Sequence, residues 1–332
     1  MGFKDIPQDG YERVIHIQDE ASGLDAIIAL HSTKLGPAIG GIRCYNYDSF
    51  ESQLKDALRL SQGMTFKNAA SGLNHGGAKT AINASKIKDR EAAYQYLGKI
   101  VNLLDGKYIC AGDVGTSVED LYKVNDRTGY VAGIKLDSST PTALGVYTSI
   151  QALLKRDQRE ITGTTFIVEG LGKVGGQLAK MIIRGGGDVR AYDPWHGAFD
   201  QFNKDYPVMP IEAHQVHSSV TDVYVPCALG ATLNMKTLNM SKADYICGSA
   251  NNQFETLADA EIARSLGIMY VPDFIANCGG VVGVALDFKR KDYHHALTVE
   301  LEERIHEILD IANRKDINAQ QAAEYYANQR LK

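Results

Sequence analysis

Two lysines twelve positions apart, Lys67 and Lys79, lie in Gly63-Met64-Thr65-Phe66-Lys67-Asn68 and Gly76-Gly77-Ala78-Lys79, with small residues and glycine prominent between them. Two ammonium groups crowded in a cleft repel, so at least one gives up its proton more readily and can exchange protons near neutral pH. The other can stay charged and hold a carboxylate. Asp113 adds an acid where the short apolar run Tyr108-Ile109-Cys110-Ala111 ends at Gly112, a usual place for a catalytic group. Two cations and one acid suit oxidative deamination of an α-amino acid. One lysine anchors the α-carboxylate, hydride leaves Cα, and water adds to the imine while the second lysine and Asp113 shuttle protons. The plainer alternative is two solvated lysines and an Asp113 that caps a helix near Gly115-Thr116-Ser117.

A hydride acceptor is indicated a hundred residues later. Gly170-Leu171-Gly172-Lys173-Val174-Gly175 is a G-x-G-x-x-G hexamer. It follows the β-branched and aromatic run Thr164-Thr165-Phe166-Ile167-Val168 and opens a helical pattern through Leu178, Met181 and Ile182. Gly170 permits the tight turn, Gly172 lets a pyrophosphate approach the backbone, and Gly175 lets helix and strand pack closely. Asp193 ends the next strand, eighteen positions after Gly175. A carboxylate there accepts hydrogen bonds from both ribose hydroxyls and repels a 2′-phosphate, which favours NAD.

The elements that must position these groups read as an α/β arrangement. Strands are expected at Arg13-Val14-Ile15-His16-Ile17 and at residues 24–31, joined through Ala21-Ser22-Gly23. Ser49 is expected to cap a helix carrying Leu54, Leu58 and Ser61 and running into Met64. A second helix is expected from about Asp89 to Leu104, before the strand that ends at Gly112. The polar, Pro-containing stretch of residues 135–142 marks a domain boundary. A helix through Val146, Ile150 and Leu154 follows, then strands near residues 164–168, 188–192, 223–225, 245–247 and 268–271, the order of a doubly wound sheet. The expected organisation is an α/β fold of two domains with C-terminal helices. Residues 1–137 form a substrate-binding, catalytic domain, and residues 138–296 a Rossmann NAD-binding domain. Helices over 297–332 pack back toward the first.

Composition narrows the classes. At 332 residues the chain exceeds the size of one hydrophobic core, and its 44% apolar and 23% charged content is ordinary for a globular protein. A formal charge of −5 without a long basic run argues against nucleic acid as a partner. No apolar run approaches the roughly 20 residues that cross a bilayer, and the start Met-Gly-Phe-Lys-Asp carries no hydrophobic signal segment. Five scattered cysteines (Cys44, Cys110, Cys227, Cys247, Cys278), never in a Cys-x-x-Cys pair, argue for reduced thiols in the cytoplasm and against a metal site.

Seven segments, those around Lys67, Lys79 and Asp113 among them, resemble one family throughout. Residues 36–41, Gly63 to Ala70, Gly76 to Lys79, Asp113-Val114-Gly115-Thr116, residues 226–231, Gly248 to Gln253 and Pro272 to Asn277 look like the leucine/phenylalanine/valine dehydrogenases. The likeness runs in order from about Arg13 to the C-terminal helices. It implies that Lys67 binds the substrate carboxylate, Lys79 activates the water, and Asp113 passes the proton to or from nitrogen. Gly40, Gly41 and Met64 would join the substrate site. Thr142, Asn251 and Asn277 would lie near the nicotinamide, its ribose or the substrate. Lys173, Val174, Cys227, Ala228, Leu229, Ala250 and Asn252 would complete the cofactor site. The resemblance also implies NAD, a cleft between two domains, and a homo-oligomer.

Two departures are expected to matter. Ala78 replaces the last of three glycines, which would tighten the loop before Lys79. Gly112 stands where the family often has Glu, which would change the electrostatics around Lys79. His75 is read as a loop histidine rather than a base. The side-chain pocket would correspond to Ile39, Ala111, Val281 and Val284, all apolar, so a charged side chain there would be left unpaired. The expected activity is reversible deamination of an apolar, branched-chain L-amino acid to its 2-oxo acid and ammonia. The alternatives are an aromatic or specialised biosynthetic amino acid, and a catalytically idle NAD-binding sensor.

Overall fold

The computed structural model describes residues 2–332, which cluster into two units. Unit 1 comprises residues 2–136, 284–291 and 327–332, and unit 2 comprises 137–283 and 292–326.

Unit 1 is built on a mixed sheet. Its elements are β1 (Phe3–Asp5), β2 (Arg13–Asp19), β3 (Leu24–Ser32), β4 (Ala38–Tyr45), α1 (Phe50–Ala70), β5 (Gly76–Asn83), α2 (Arg90–Leu103), β6 (Tyr108–Gly112) and α3 (Val118–Asn125). The strand order is β1-β2-β3-β5-β4-β6, antiparallel from β1 to β5, with β4 parallel to both neighbours. Side chains alternate between two faces along each strand. One face, with Ile15, Ile28, Leu30, Ala78, Ile82 and Tyr108, packs against Tyr94 and Leu97 of α2 and Leu121 of α3. The other, with Val14, Ile27, Ala29 and Ala81, packs against Ala57 of α1.

The helices start where their capping residues predict. Ser49 caps α1 in a reciprocal box with Ser52, and Asp89 caps α2 by accepting from the Ala92 N–H. Asp113 is not a cap: Ser117 caps α3, boxed with Asp120, so the capping alternative for Asp113 is overturned. The sequence reading placed no strand at β4 or β5. Both are glycine-rich, and glycine in a strand marks close backbone approach rather than β propensity. A β-carbon on Gly40 would overlap the Ala78 carbonyl, and one on Gly77 would overlap the Thr65 backbone of α1. The segment before Lys79 is therefore a buried central strand, not a loop. Ala78 is fully buried in the core on the face opposite Lys79, so its methyl fills the α2 side of the sheet.

Unit 2 continues with α4 (Ser139–Arg156), β7 (Thr165–Glu169), α5 (Lys173–Arg184), β8 (Asp188–Tyr192), α6 (His196–Asp205), β9 (Met209–Pro210), β10 (Val220–Pro226) and α7 (Met235–Met240). Next come β11 (Lys242–Ile246), α8 (Asp259–Ser265), β12 (Met269–Tyr270), α9 (Asp273–Ala276), α10 (Gly279–Phe288), α11 (Leu301–Lys315) and α12 (Ala319–Leu331). The sheet is wholly parallel in the order β12-β11-β10-β7-β8-β9. Numbered within this unit, that is the 3-2-1-4-5-6 order of a doubly wound dinucleotide sheet read from its other edge. α11 packs against α4, joined by Lys155 to Glu302 at 2.6 Å.

Candidate active site

Strand alternation assembles the site on the α1 face of unit 1. Ile39, Gly41 and Arg43 of β4, Gly77 and Lys79 of β5, and Ile109 and Ala111 of β6 share that face, and Asp113 follows in the same alternation. Lys79 Nζ lies 2.8 Å from Asp113 Oδ2, with side chains only 7% and 21% exposed. Arg43 Nε donates to the same oxygen at 2.9 Å. Arg43 also lies 3.2 Å from Asp56 Oδ2, which accepts the Tyr47 hydroxyl at 2.8 Å, while Asp56 Oδ1 accepts from Arg59 at 3.0 Å.

Burial is the largest influence on Lys79 and lowers its pKa; Asp113 pulls it up without restoring it, and Arg43 lowers it further. Burial opposes ionisation of Asp113, but Lys79 and Arg43 outweigh it and hold the carboxyl below its ordinary value. A lysine that releases its proton readily beside an ionised carboxylate can move protons in both directions. The sequence reading ascribed the depressed lysine to crowding by a second lysine. Burial leads instead, and Arg43 is the cation that adds to it. Arg43, Asp56 and Tyr47 were missed. Reading residues 38–45 as a strand would have found Arg43, two positions beyond Gly41 on the same face.

Glycines make room for this arrangement. A β-carbon on Gly41 would sit 2.7 Å from Asp113 Cβ, and the bare Gly77 lets α1 press onto β5. Asn68 Nδ2 donates to the Gly76 carbonyl at 2.6 Å, pinning the last turn of α1, which carries Lys67 and follows the turn with Met64, to the strand that carries Lys79. Ile39 and Ala111 are buried on the site face. Val281 and Val284 sit one helical turn apart on α10. The division between units falls inside α10, and Val284 would lie 3.1 Å from a β-carbon on Gly133 in unit 1. Gly112 is exposed, with only Leu121 near its β-position. His75 precedes β5, is 1% exposed, and bonds through Nδ1 to the Pro37 carbonyl at 2.9 Å; burial lowers its pKa. It is a packed, neutral histidine.

In unit 2 the glycine turn has the geometry of a phosphate cradle. Gly170 has φ +98°, and a β-carbon there would crowd the Ala228 backbone at 2.9 Å. A β-carbon on Gly175 would overlap the Gly170 carbonyl, so helix and strand meet without a side chain. Gly172 has open space around its β-position and begins α5, twelve residues long, without a side-chain cap. The unsatisfied N–H groups of that turn, including those of Lys173 and Val174, suit a pyrophosphate. Asp193 Oδ2 accepts the Leu171 N–H at 2.7 Å and Oδ1 the Trp195 N–H at 2.8 Å, which fixes the carboxylate beside the turn. A groove of about 700 Å³ runs from Gly172 and Asp193 past Trp195, large enough for a nucleoside.

Most of the remaining predicted cofactor residues gather at the C-terminal ends of the parallel strands, the ligand side of such sheets. Cys227, Ala228 and Leu229 follow β10, and Cys227 Cβ would lie 2.9 Å from a β-carbon on Gly175. Ala250, Asn251 and Asn252 follow β11. Asn277 Nδ2 donates to Asn251 Oδ1 at 2.8 Å and to the Ser249 carbonyl at 3.2 Å. Thr142 lies in the first turn of α4, where its hydroxyl donates to the Ser138 carbonyl at 2.7 Å and would lie 2.9 Å from a β-carbon on Gly280.

A parallel sheet with a bare glycine turn, together with a mixed sheet carrying a buried lysine–aspartate pair, defines a dinucleotide-dependent oxidoreductase of two units. Residues 11–130 match the Glu/Leu/Phe/Val dehydrogenase dimerisation domain and residues 194–331 the Glutamate/Leucine/Phenylalanine/Valine dehydrogenase family. A leucine dehydrogenase of Bacillus cereus is 38% identical, covering 99% of this chain and 93% of that protein. A phenylalanine dehydrogenase of Lysinibacillus sphaericus is 35% identical over 86% of this chain and 79% of its own. The crystal structure of L-tryptophan dehydrogenase from Nostoc punctiforme superposes with a TM-score of 0.88, at 30% identity over 97% of this chain and 96% of that one. The chain belongs to the glutamate/leucine/phenylalanine/valine dehydrogenase family, the NAD(P)-dependent amino acid dehydrogenases.

Proposed function

We propose that this chain catalyses NAD-dependent, reversible oxidative deamination of an apolar, branched-chain L-amino acid to its 2-oxo acid and ammonia. The observation that carries the reading is the buried Lys79–Asp113 pair at 2.8 Å on the same sheet face as Ile39 and Ala111. A bound nicotinamide supplies the acceptor for the hydride that leaves Cα. Lys67 holds the α-carboxylate beside Met64, Gly40 and Gly41. Asp113 takes a proton from the substrate ammonium, leaving the amine lone pair to form the iminium as hydride departs. Neutral Lys79 then takes a proton from water as its oxygen bonds to the iminium carbon, passes that proton to nitrogen, and takes the hydroxyl proton as the C–N bond breaks and ammonia leaves the 2-oxo acid. Ile39 and Ala111, apolar and buried on the site face, leave a charged side chain unpaired.

Asp193 supports NAD over its 2′-phosphorylated form, since its carboxylate stands beside the glycine turn where the ribose would lie. Gly170, Gly172, Lys173, Val174 and Gly175 would cradle the pyrophosphate, with Thr142, Asn251 and Asn277 toward the nicotinamide end. Homo-oligomerisation belongs to the same reading, supported by the match of residues 11–130 to a dimerisation domain. So does a cytoplasmic setting, supported by five free thiols. An aromatic substrate is the second reading, favoured by the likeness to the phenylalanine and L-tryptophan enzymes.

The deciding experiment mixes purified protein with NADH, ammonium and a panel of 2-oxo acids and follows cofactor absorbance. The fastest oxidation is expected with 4-methyl-2-oxopentanoate. Faster oxidation with phenylpyruvate or indole-3-pyruvate selects the second reading, and none with any member of the panel leaves an idle dinucleotide binder.

A further inference from the structure

We propose that Arg43 is a positioning residue that divides the labour between the two oxygens of Asp113, holding Oδ2 against Lys79 and leaving Oδ1 to exchange the proton with the substrate nitrogen. The inference rests on the dehydrogenase reading and goes beyond it, because that reading needs only a carboxylate near Lys79. Both cations address one oxygen: Arg43 Nε lies 2.9 Å and Lys79 Nζ 2.8 Å from Oδ2. Among the described residues no hydrogen bond to Oδ1 is found, and the Asp113 side chain is 21% exposed. A half rotation only exchanges two equivalent oxygens, so what the two cations fix is the plane of the carboxylate, and with it the one oxygen position left open to substrate.

Arg43 can hold this post because its other arm is fixed. Its Nη1 lies 3.2 Å from Asp56 Oδ2, and Asp56 is itself held by the Tyr47 hydroxyl at 2.8 Å and Arg59 at 3.0 Å. Arg43 and Asp56 side chains are 22% and 19% exposed, so water competes little for these contacts. A guanidinium can span two carboxylates in one plane; a lysine ammonium at the same place serves as a point charge. The groups facing the Lys79–Asp113 pair are Arg43 from β4, Asp56 from α1 and Tyr47 from the turn before α1, with Tyr108 behind the sheet. In the deamination direction the ammonium N–H bond breaks, the O–H bond forms on Oδ1, and the electron pair stays on nitrogen.

The test compares wild type with Arg43→Gln, Arg43→Lys and Asp56→Asn. Readouts are kcat/KM for the amino acid against pH, NAD affinity, and the pH dependence of Lys79 acylation by acetic anhydride read by mass spectrometry. Removing Arg43 removes a cation that lowers Lys79 and Asp113 alike, so the rising limb set by Lys79 moves to higher pH. We expect Arg43→Gln to lose at least tenfold in kcat, move that limb and the Lys79 acylation midpoint up by about one pH unit, and keep NAD affinity. Arg43→Lys keeps the limb in place while kcat stays reduced, and Asp56→Asn lowers kcat with a smaller displacement. Wild-type kcat in Arg43→Gln, or a lower kcat with limb and acylation midpoint both unmoved, overturns the proposal. Should wild type turn over no amino acid, the dehydrogenase reading fails, and the acylation midpoint still decides the role of Arg43. If Arg43→Gln does not fold, the unequal effects of Arg43→Lys on rate and on limb position decide it.

Discussion

Replacing Gly41 with alanine places a methyl carbon 2.7 Å from Asp113 Cβ and 2.9 Å from the Gly112 carbonyl oxygen. Carbon atoms in favourable contact stand about 3.5–4.0 Å apart, so the pair is short by roughly 1 Å. The Gly112 oxygen is backbone, and a change of side-chain rotamer cannot relieve it. The end of β6 must therefore move, carrying Asp113 away from Lys79 and stretching their 2.8 Å contact beyond hydrogen-bond reach. A misplacement of ~1 Å can cost about 100-fold in rate, or about 2.7 kcal/mol at the barrier. The same overpacking costs about 1–3 kcal/mol of stability. Purified Gly41→Ala is assayed for kcat at saturating amino acid and NAD, with NAD affinity and thermal unfolding measured alongside. A folded variant with unchanged NAD binding and kcat down about 100-fold is expected. A kcat within threefold of wild type would refute the claim that the bare position exists to seat Asp113.

Because Lys79 must be neutral to take the water proton, and burial holds its pKa below the ordinary lysine value, the deamination rate should rise with pH through a midpoint below about 10.4. Asp113, held low by Lys79 and Arg43, stays ionised across that range. A limb at or above the free lysine value in a pH–rate profile would contradict this. Asp193→Asn removes the charge and keeps one of the two backbone contacts, and should reduce the NAD-to-NADP preference in kcat/KM by about tenfold, the worth of one charged hydrogen bond. An unchanged preference would dismiss Asp193 as its source. Gly63 lies inside α1 with nothing within 4 Å of its β-position, so Gly63→Ala should stabilise the fold by about 0.5–1 kcal/mol, seen as a raised Tm. A lowered Tm would show a constraint absent from this helix.

The dinucleotide half was legible because its signals are local. Thr164 to Val168 is β-branched and aromatic, the glycine spacing follows at once, and Asp193 closes the next strand. The catalytic half was legible as residue types but not as geometry. β4 and β5 carry Gly40, Gly41, Gly76 and Gly77, which dilute every strand signal because the backbones of Ala78, Ser32 and α1 approach them closely. Without those strands no face could be assigned. Ala78 was accordingly read as tightening a loop before Lys79, when it lies in a strand and points to the opposite side of the sheet, and Arg43 went unnoticed. Asp113 was an acceptable helix cap by sequence alone; only the Ser117–Asp120 box shows that the helix is already capped.

The most direct measurement is the rate of NAD reduction by Lys79→Ala with saturating leucine, beside NAD binding by the same sample. Positioned proton transfer contributes about 10²–10⁴-fold, so turnover should fall by at least 100-fold while the dinucleotide binds as in wild type. Retention of more than a tenth of the wild-type rate would contradict a proton-transferring Lys79, and with it the account of this site.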